Sequence, residues 1–285
     1  MKVAWVTDST AFVDETVKVE IAHLYIIPMT ILIDGVEYKD GEDLSPEALF
    51  EKLRDKKVDV KTSQPAIGTF QSLYTKLSEE FDHIFSIHVS SHFSGTFSSA
   101  FQAAQLLKAN FPQVTVVDSK IISYPLTELI RYGNQLVKQG KKPDEVKRLV
   151  EKRIATSEAY VMVGSLEQLH RSGRMNGLSF FIGSVLNIKP ILSINDGQLN
   201  VKEKVRNTNK GFLKMLEYLD GAVASKTVQH VSVLHGLNKK EANEWIQQLK
   251  LRYKGIAFNA YPLGAVIGVH AGENTIGISW FDSDS

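Results

Sequence analysis

Residues 83–110 read HIFSIHVSSHFSGTFSSAFQAAQLLKAN, and this stretch decides the fold. His83 to Val89 is a short apolar run of the kind found in a buried strand, whereas Thr96 to Asn110 has helical spacing. Between them lies the polar loop Ser90-Ser91-His92-Phe93-Ser94-Gly95-Thr96. A strand feeding a helix through a polar loop is half of a βαβ unit. Because the alternation recurs along the chain, it predicts α/β architecture with at least part of the sheet parallel.

Upstream, Lys2 to Val6 predicts the first strand, which ends at Thr7-Asp8-Ser9-Thr10. Tyr25 to Ile33 and Val36 to Lys39 flank Asp34-Gly35, a dipeptide suited to a type I′ hairpin turn. Ser45-Pro46 supplies an N-cap and first-turn proline, and Ile67, Phe70, Leu73, Tyr74 and Leu77 follow Pro65 at helical spacing. Downstream, Val114 to Val117 reads as a strand, and Leu126 to Lys138 and Asp144 to Ile154 as helices. Strands at Tyr160 to Val163, Ile191 to Ile194 and Gln198 to Val205 begin a second unit, with Asp196-Gly197 as its hairpin turn. Helices over 211–219 and 239–250 and strands over 230–234, 256–260 and 275–280 complete it. Helix pattern runs out at Arg153 to Ser157, so the expected domains are 1–156 and 157–285.

A chain of 285 residues is about twice the usual domain length. Lys plus Arg number 33 against 32 Asp plus Glu, so the net charge of +1 supplies no general attraction to nucleic acid or an anionic membrane. With no cysteine, disulfides, thiolate metal sites and cysteine nucleophiles are excluded. Val3-Ala4-Trp5-Val6 is too short for a secretory signal. The apolar run Leu178 to Ile194 is broken by Ser184, Asn187, Lys189 and Pro190, so no stable membrane insertion is expected. The chain reads as cytoplasmic.

The phosphate loop, the G-x-S-x-G elbow, H-E-x-x-H and G-x-G-x-x-G are all missing. His88 and His92 lie four apart where strand passes into loop, which leaves a zinc shell without a third ligand in view. The serine loop is more informative. Four hydroxyls in seven residues, at a strand-to-helix junction, exceed capping needs, so an anion or carboxylate site stands level with a plain N-cap; Gly95 allows close approach or positive φ. Thr62-Ser63-Gln64-Pro65 is a second such junction, and a cap is its simpler reading. His270 sits between Gly268 and Gly272, which suggests a tight turn; an isolated histidine is more often a structural hydrogen-bonder, and the alternative is donation to a carboxylate. Arg171-Ser172-Gly173-Arg174 sets two guanidinium groups beside a glycine, equally a solvated turn or a clamp for phosphate or carboxylate. Lys202, Lys204 and Arg206 alternate along a strand and share one face, which serves solubility or docks an acidic partner. Phe180, Phe181, Ile182 and Ile191 belong to a dense apolar segment; such a run is more often core, but its glycines at 177 and 183 leave room for a groove or tunnel.

Taken in order, several motifs together resemble the DegV family, which includes the fatty-acid-binding subunits of bacterial fatty acid kinase. They are Val6-Thr7-Asp8-Ser9, Thr62-Ser63-Gln64-Pro65, Ser94-Gly95-Thr96, Val117-Asp118-Ser119, Leu166-Glu167-Gln168-Leu169, Gly173-Arg174, Lys189-Pro190-Ile191-Leu192 and the Asp196-Gly197 hairpin leading to Arg206. The resemblance implies a two-domain α/β fold, with a mainly parallel sheet in the N-terminal domain and a mixed one in the C-terminal domain. It implies a long-chain fatty acid enclosed between them, its carboxylate held by Thr62 and Ser94, flanked by Ser63 and Gly95 and joined by His270. Arg174 would support phosphoryl transfer from a separate ATP-binding kinase subunit, which fits the missing nucleotide loop, and no cofactor is implied. Ala66 and Ser123-Tyr124-Pro125-Leu126 depart from the family pattern, the second where relatives carry small residues or glycine.

Physical chemistry favours the same reading. A chain of about sixteen carbons gains on the order of 12 kcal/mol from methylene burial before ordering costs, so the tunnel supplies affinity and the polar groups orientation. Two other readings differ in kind. One is a stand-alone hydrolase or transferase acting on a small anion at the serine loop, with His270 or His92 as base. The other is a lipid store without a catalytic partner.

Overall fold

The computed structural model describes residues 1–54, 58–111, 113–174 and 189–284. In chain order the elements of the first half are β1 (Val3–Asp8), α1 (Glu15–Glu20), β2 (Leu24–Ile27), β3 (Thr30–Ile33), β4 (Val36–Lys39), α2 (Pro46–Leu53), β5 (Val60–Ser63), α3 (Ile67–Ser78), β6 (His83–His88), α4 (Thr96–Leu107), β7 (Val114–Asp118), α5 (Tyr124–Lys138) and α6 (Pro143–Ile154). The second half has β8 (Glu158–Met162), α7 (Leu166–Arg171), β9 (Lys189–Asn195), β10 (Gln198–Val205), α8 (Thr208–Ser225), β11 (His230–His235), α9 (Lys239–Arg252), β12 (Ala257–Pro262), α10 (Ala265–Ala271) and β13 (Ile276–Trp280).

The first half holds a parallel sheet in the order β2-β1-β6-β7 and a small antiparallel sheet, β4-β3-β5. The second half holds a mixed six-stranded sheet, β10-β9-β8-β13-β11-β12. This is the α/β architecture read from the alternation of strands and helices. β1 is buried along its whole length, and its neighbours run outward to β2 on one side and β6 on the other. The order therefore reverses between β1 and β6. A crevice opens beyond the carboxyl ends of two strands at such a reversal, and the loops after Asp8 and His88 both emerge there.

Two local expectations are corrected. The run from Tyr25 to Ile33 is not one strand: Pro28 lacks an N–H for a ladder, and the chain leaves the parallel sheet after β2 and enters the antiparallel sheet at β3. Ser9 Oγ accepts from the Met29 amide at 3.1 Å and secures the crossing. His270 does not lie in a turn but in the last turn of α10. Each flanking glycine has its own cause. A Cβ on Gly268 would meet the Phe50 ring at 2.5 Å, so that glycine lets α10 settle on α2, while Gly272, at φ +85°, ends the helix.

The two halves share a core. Met29, Ile31 and Leu49 from the first pack with Leu234, Leu263 and Val266 from the second, around Tyr124. Tyr124 lies parallel to Tyr261 and takes a hydrogen bond from Arg131 at 2.9 Å. Entry into α5 forces Ser123 to φ +67° and ψ −151°, a region that glycine alone adopts readily, and its buried hydroxyl has no partner among the described residues. Ser123→Gly should therefore raise the unfolding free energy by about 1 kcal/mol, the relief of strain exceeding the added freedom of the unfolded chain; urea unfolding measures it.

Among the described residues no helix is long and apolar enough to cross a membrane.

Candidate functional site

Two carboxyl-end loops build the site because a buried network fixes them. Asp8 and His88 are fully enclosed at the ends of β1 and β6. His88 Nδ1 donates to Asp8 Oδ2 at 3.0 Å, and the Val89 amide donates to the same oxygen at 3.0 Å. Thr10 donates to Oδ1 through its hydroxyl at 2.6 Å and its amide at 3.1 Å. Burial by itself would raise this carboxyl, but the His88, Thr10 and Val89 hydrogen bonds prevail and hold it below its ordinary range. His88 Nε2 meets Ser86 Oγ at 2.7 Å, which meets Tyr74 Oη at 2.7 Å. The serine–histidine–aspartate order resembles a hydrolytic triad, yet all three residues are fully buried, so no substrate reaches them. His88 is occupied by these bonds and is not paired with His92, which is exposed and bonds Gln198 at 3.2 Å.

The T-S-Q-P strand and α10 bring the decisive pair together: Thr62 Oγ1 lies 2.8 Å from His270 Nε2. Burial, reinforced by the charge of Arg174, pushes the His270 imidazole down to about 3. The ring is therefore neutral at physiological pH and carries one N–H. Among the described residues its Nδ1 is buried without a partner. Placing the hydrogen on Nε2 leaves only a lone pair orphaned, and Thr62 then accepts from the ring and keeps its own hydrogen to donate to an anion.

Arg174 reaches the same place through a helix stop. The Arg174 amide donates to Leu169 O at 3.3 Å and the Gly173 amide to His170 O at 2.9 Å, with Gly173 at φ +73°. This pair of bonds is a Schellman motif, and it reverses the chain beyond α7. The side chain then donates from Nε to Phe93 O at 3.3 Å and from Nη1 to Ser172 O at 2.5 Å.

Two cavities meet at these residues. One is apolar, lined by residues such as Met29, Val163, Leu199, Leu263 and Ile267 together with Ser94. It offers about 110 Å³ to the centres of water-sized spheres, where a single water needs roughly 10–15 Å³. The other is polar, about 700 Å³ by the same measure, and bordered by Arg54, Lys61, Glu167 and Arg171. Thr62, Arg174 and His270 line both. The arrangement can hold an amphipathic molecule with its apolar body on one side of this wall and its charged end on the other.

The remaining expected residues fall as follows. Ser94 lines the apolar cavity, and its Oγ lies 2.8 Å from Thr96 Oγ1. Gly95 has φ −73°, not a positive φ, and a Cβ there would meet the Gln64 side chain at 2.9 Å. Its close approach is thus to the T-S-Q-P motif. Strand alternation turns Ser63 away from Thr62; it is exposed and lines neither cavity. Phe180, Phe181 and Ile182 lie outside the described residues. Ile191 is fully buried in the core of the second half with Met162 and Phe212, not in the cavity wall; Ile194 on the same strand lines the cavity. Lys202, Lys204 and Arg206 are exposed at alternate positions on and just beyond β10. The tip of the β9–β10 hairpin is tied to the serine loop: Ser90 Oγ donates to Gly197 O at 2.8 Å, and Lys120 pairs with Asp196.

Nothing in the local sequence marks Asp40. It is buried at the start of α10, where Oδ1 accepts from the Val266 amide at 3.3 Å. Burial pushes its carboxyl up to about 6, against the pull of the Ser9 hydroxyl and the Val266 amide. Between its unfolded value near 3.8 and about 6 the folded state binds the extra proton, so the ionised group opposes folding above that window, and the penalty fades as pH falls through it. Asp40→Asn should thus gain about 1–3 kcal/mol at pH 8 and little at pH 4, read from melts at both.

An apolar cavity that meets a polar one at a hydroxyl–imidazole pair, lined from both halves of an α/β protein, is the candidate site. The family model described as "Uncharacterised protein, DegV family" matches residues 2–283, and the chain belongs to the DegV family. It is 34% identical over 280 residues to a DegV domain-containing protein of Listeria monocytogenes, covering 98% of each chain. Its fold matches DegV of Bacillus subtilis, a fatty acid binding protein, with TM-score 0.90 and 32% identity over 99% of this chain and 100% of that one. A DegV family protein of Thermus thermophilus, described for its fatty acid binding, matches with TM-score 0.91 and 27% identity over 99% and 100%.

Proposed function

We propose that this protein binds a long-chain fatty acid and presents its carboxylate to a separate ATP-bearing kinase subunit, which converts it to an acyl phosphate. The observation that carries the proposal is the wall shared by the two cavities, Thr62, Arg174 and His270. The acyl chain lies on the apolar side, and the carboxylate takes hydrogen bonds from Thr62 and Ser94. His270 holds Thr62 in the donating sense. The descriptions of the Bacillus subtilis and Thermus thermophilus relatives as fatty acid binding support the ligand class.

In the transfer, a carboxylate oxygen attacks the terminal phosphorus of ATP, the bond to the bridging oxygen breaks, and ADP leaves with the electron pair. Arg174, half-buried, offsets charge near the attacking oxygen. Burial lowers its pKa, but a guanidinium remains charged at any physiological pH. Lys202, Lys204 and Arg206 form the kinase-docking face, and the units meet near residue 156. The protein acts in the cytoplasm and needs no cofactor of its own.

Native mass spectrometry of the protein as purified, followed by lipid extraction, tests the binding. Near-unit occupancy by a fatty acid is expected. An empty chain that also refuses palmitate contradicts the proposal.

A further inference from the structure

Binding and transfer leave the buried carboxylate of Asp40 without a task. Asp40 lines neither cavity, yet it is bonded to residues that do. The bonds form a closed ring. The Asp40 amide donates to Met29 O at 2.9 Å, the Met29 amide donates to Ser9 Oγ at 3.1 Å, and the Ser9 hydroxyl donates to the Asp40 carboxylate. The same carboxylate closes the start of α10. That helix begins at Gly264, which has no side chain to cap the first N–H groups, and Asp40 takes the Ala265 and Val266 amides in its place. A Cβ on Gly264 would lie 3.6 Å from Ser9 O and 3.8 Å from Asp40 Oδ2, so three segments meet at this point. Met29, Val266 and Thr10, the neighbour of Ser9, all line the apolar cavity, and the last turn of α10 brings His270 to Thr62.

An ionised carboxylate suits this junction because it only accepts, and three donors converge on it. Asparagine has the same shape but one acceptor oxygen and two N–H groups, so it would relieve the buried charge and lose part of the link. Burial makes the ionised group oppose folding at neutral pH, so the chain carries at Asp40 a group that lowers its stability. A destabilising group bonded to the wall of a binding site is the pattern expected where stability and function compete. We propose that Asp40 is a positioning residue: its carboxylate sets the spacing of the Ser9–Thr10 loop, Met29 and α10, and with it the shape of the apolar cavity and the place of His270. This rests on the fatty-acid reading and assigns to that site a residue that never touches the ligand. Facing Asp40 from the neighbouring elements are Asp8 at the end of β1, which adds like charge, and neutral His270 in the last turn of α10. Lys39, Glu42 and Asp43 of its own turn are exposed, with Lys39 3.3 Å from Glu42.

The test sets stability against affinity in the same variant. Titration calorimetry with palmitate at pH 8 should show Asp40→Asn binding at least tenfold more weakly than the native protein, although its melting temperature is higher. At pH 5 the native carboxyl is itself protonated and has lost acceptor capacity, so the gap between the two proteins should close to less than threefold; taking their ratio cancels the titration of palmitate itself. Ser9→Ala opens the ring but leaves the cap of α10, and should weaken palmitate binding at pH 8 by about threefold or more. Palmitate affinity of Asp40→Asn within twofold of native at pH 8 overturns the proposal and leaves the fatty-acid reading standing. A loss that comes with a lower melting temperature, or that persists undiminished at pH 5, is ordinary damage to the fold and overturns it too. Should Asp40→Asn fail to fold, Ser9→Ala decides the matter, and unchanged affinity there overturns the proposal. A native protein that refuses palmitate defeats the fatty-acid reading, and this proposal with it.

Discussion

Leu199→Trp should weaken palmitate binding by about 100-fold or more while leaving the fold intact. Leu199 pairs with Ile194 across the β9–β10 hairpin, and both face the apolar cavity. Leu199 is only half-buried on an edge strand, so the hairpin can carry a larger ring without disturbing the central core. An indole there would displace several methylenes of a ligand. Losing about four of them, at roughly 0.8 kcal/mol each, is about 3 kcal/mol, or about 150-fold in affinity. Leu199→Ala is the control and should retain palmitate. Fluorescent-lipid displacement measures both, with circular dichroism reporting the fold. Unchanged affinity in Leu199→Trp would place the chain elsewhere.

The second large effect separates holding from presenting. Thr62→Val combined with Ser94→Ala removes both hydroxyls and nearly preserves volume. Palmitate retention should drop by less than about tenfold, because methylene burial supplies most of the affinity. Acyl-phosphate formation with a fatty acid kinase should fall by about 100-fold or more, since misplacing a reacting atom by about 1 Å costs that much. Equal loss of both activities would show that the hydroxyls anchor the ligand and do not orient it.

Some of this was legible in the sequence for a physical reason. Hydroxyl density at strand-to-helix junctions marks places where backbone N–H groups are free, so the loop bearing Ser94 is legible as an anion site, whereas the junction bearing Thr62 reads more simply as a cap. Alternation also placed Lys202 and Lys204 on one exposed face. Other features depend on contacts remote in sequence. Nothing near Gly268 indicates that Phe50 will press against it, so Gly268 to Gly272 reads as a turn when it is the end of a helix. Ile191 belongs to a strand buried on both faces, and local pattern cannot say which face meets a core and which meets a cavity. Asp40 acquires its meaning only where α10 lands on it, 226 residues downstream. Arg171 and Arg174 were visible as a pair, but only the glycine-terminated end of α7 shows that both border one cavity.

The central claim is an orientation: hydrocarbon on the inner side of the Thr62–His270 pair and the charged end facing the polar cavity. A crystal of the protein bound to 16-bromohexadecanoic acid tests it directly, because anomalous scattering locates the bromine independently of the rest of the map. The account predicts bromine among Met29, Val163 and Leu263, with a carboxylate oxygen within hydrogen-bonding distance of Thr62 Oγ1. Bromine in the polar cavity beside Arg171, or a carboxylate buried away from Thr62, would contradict it.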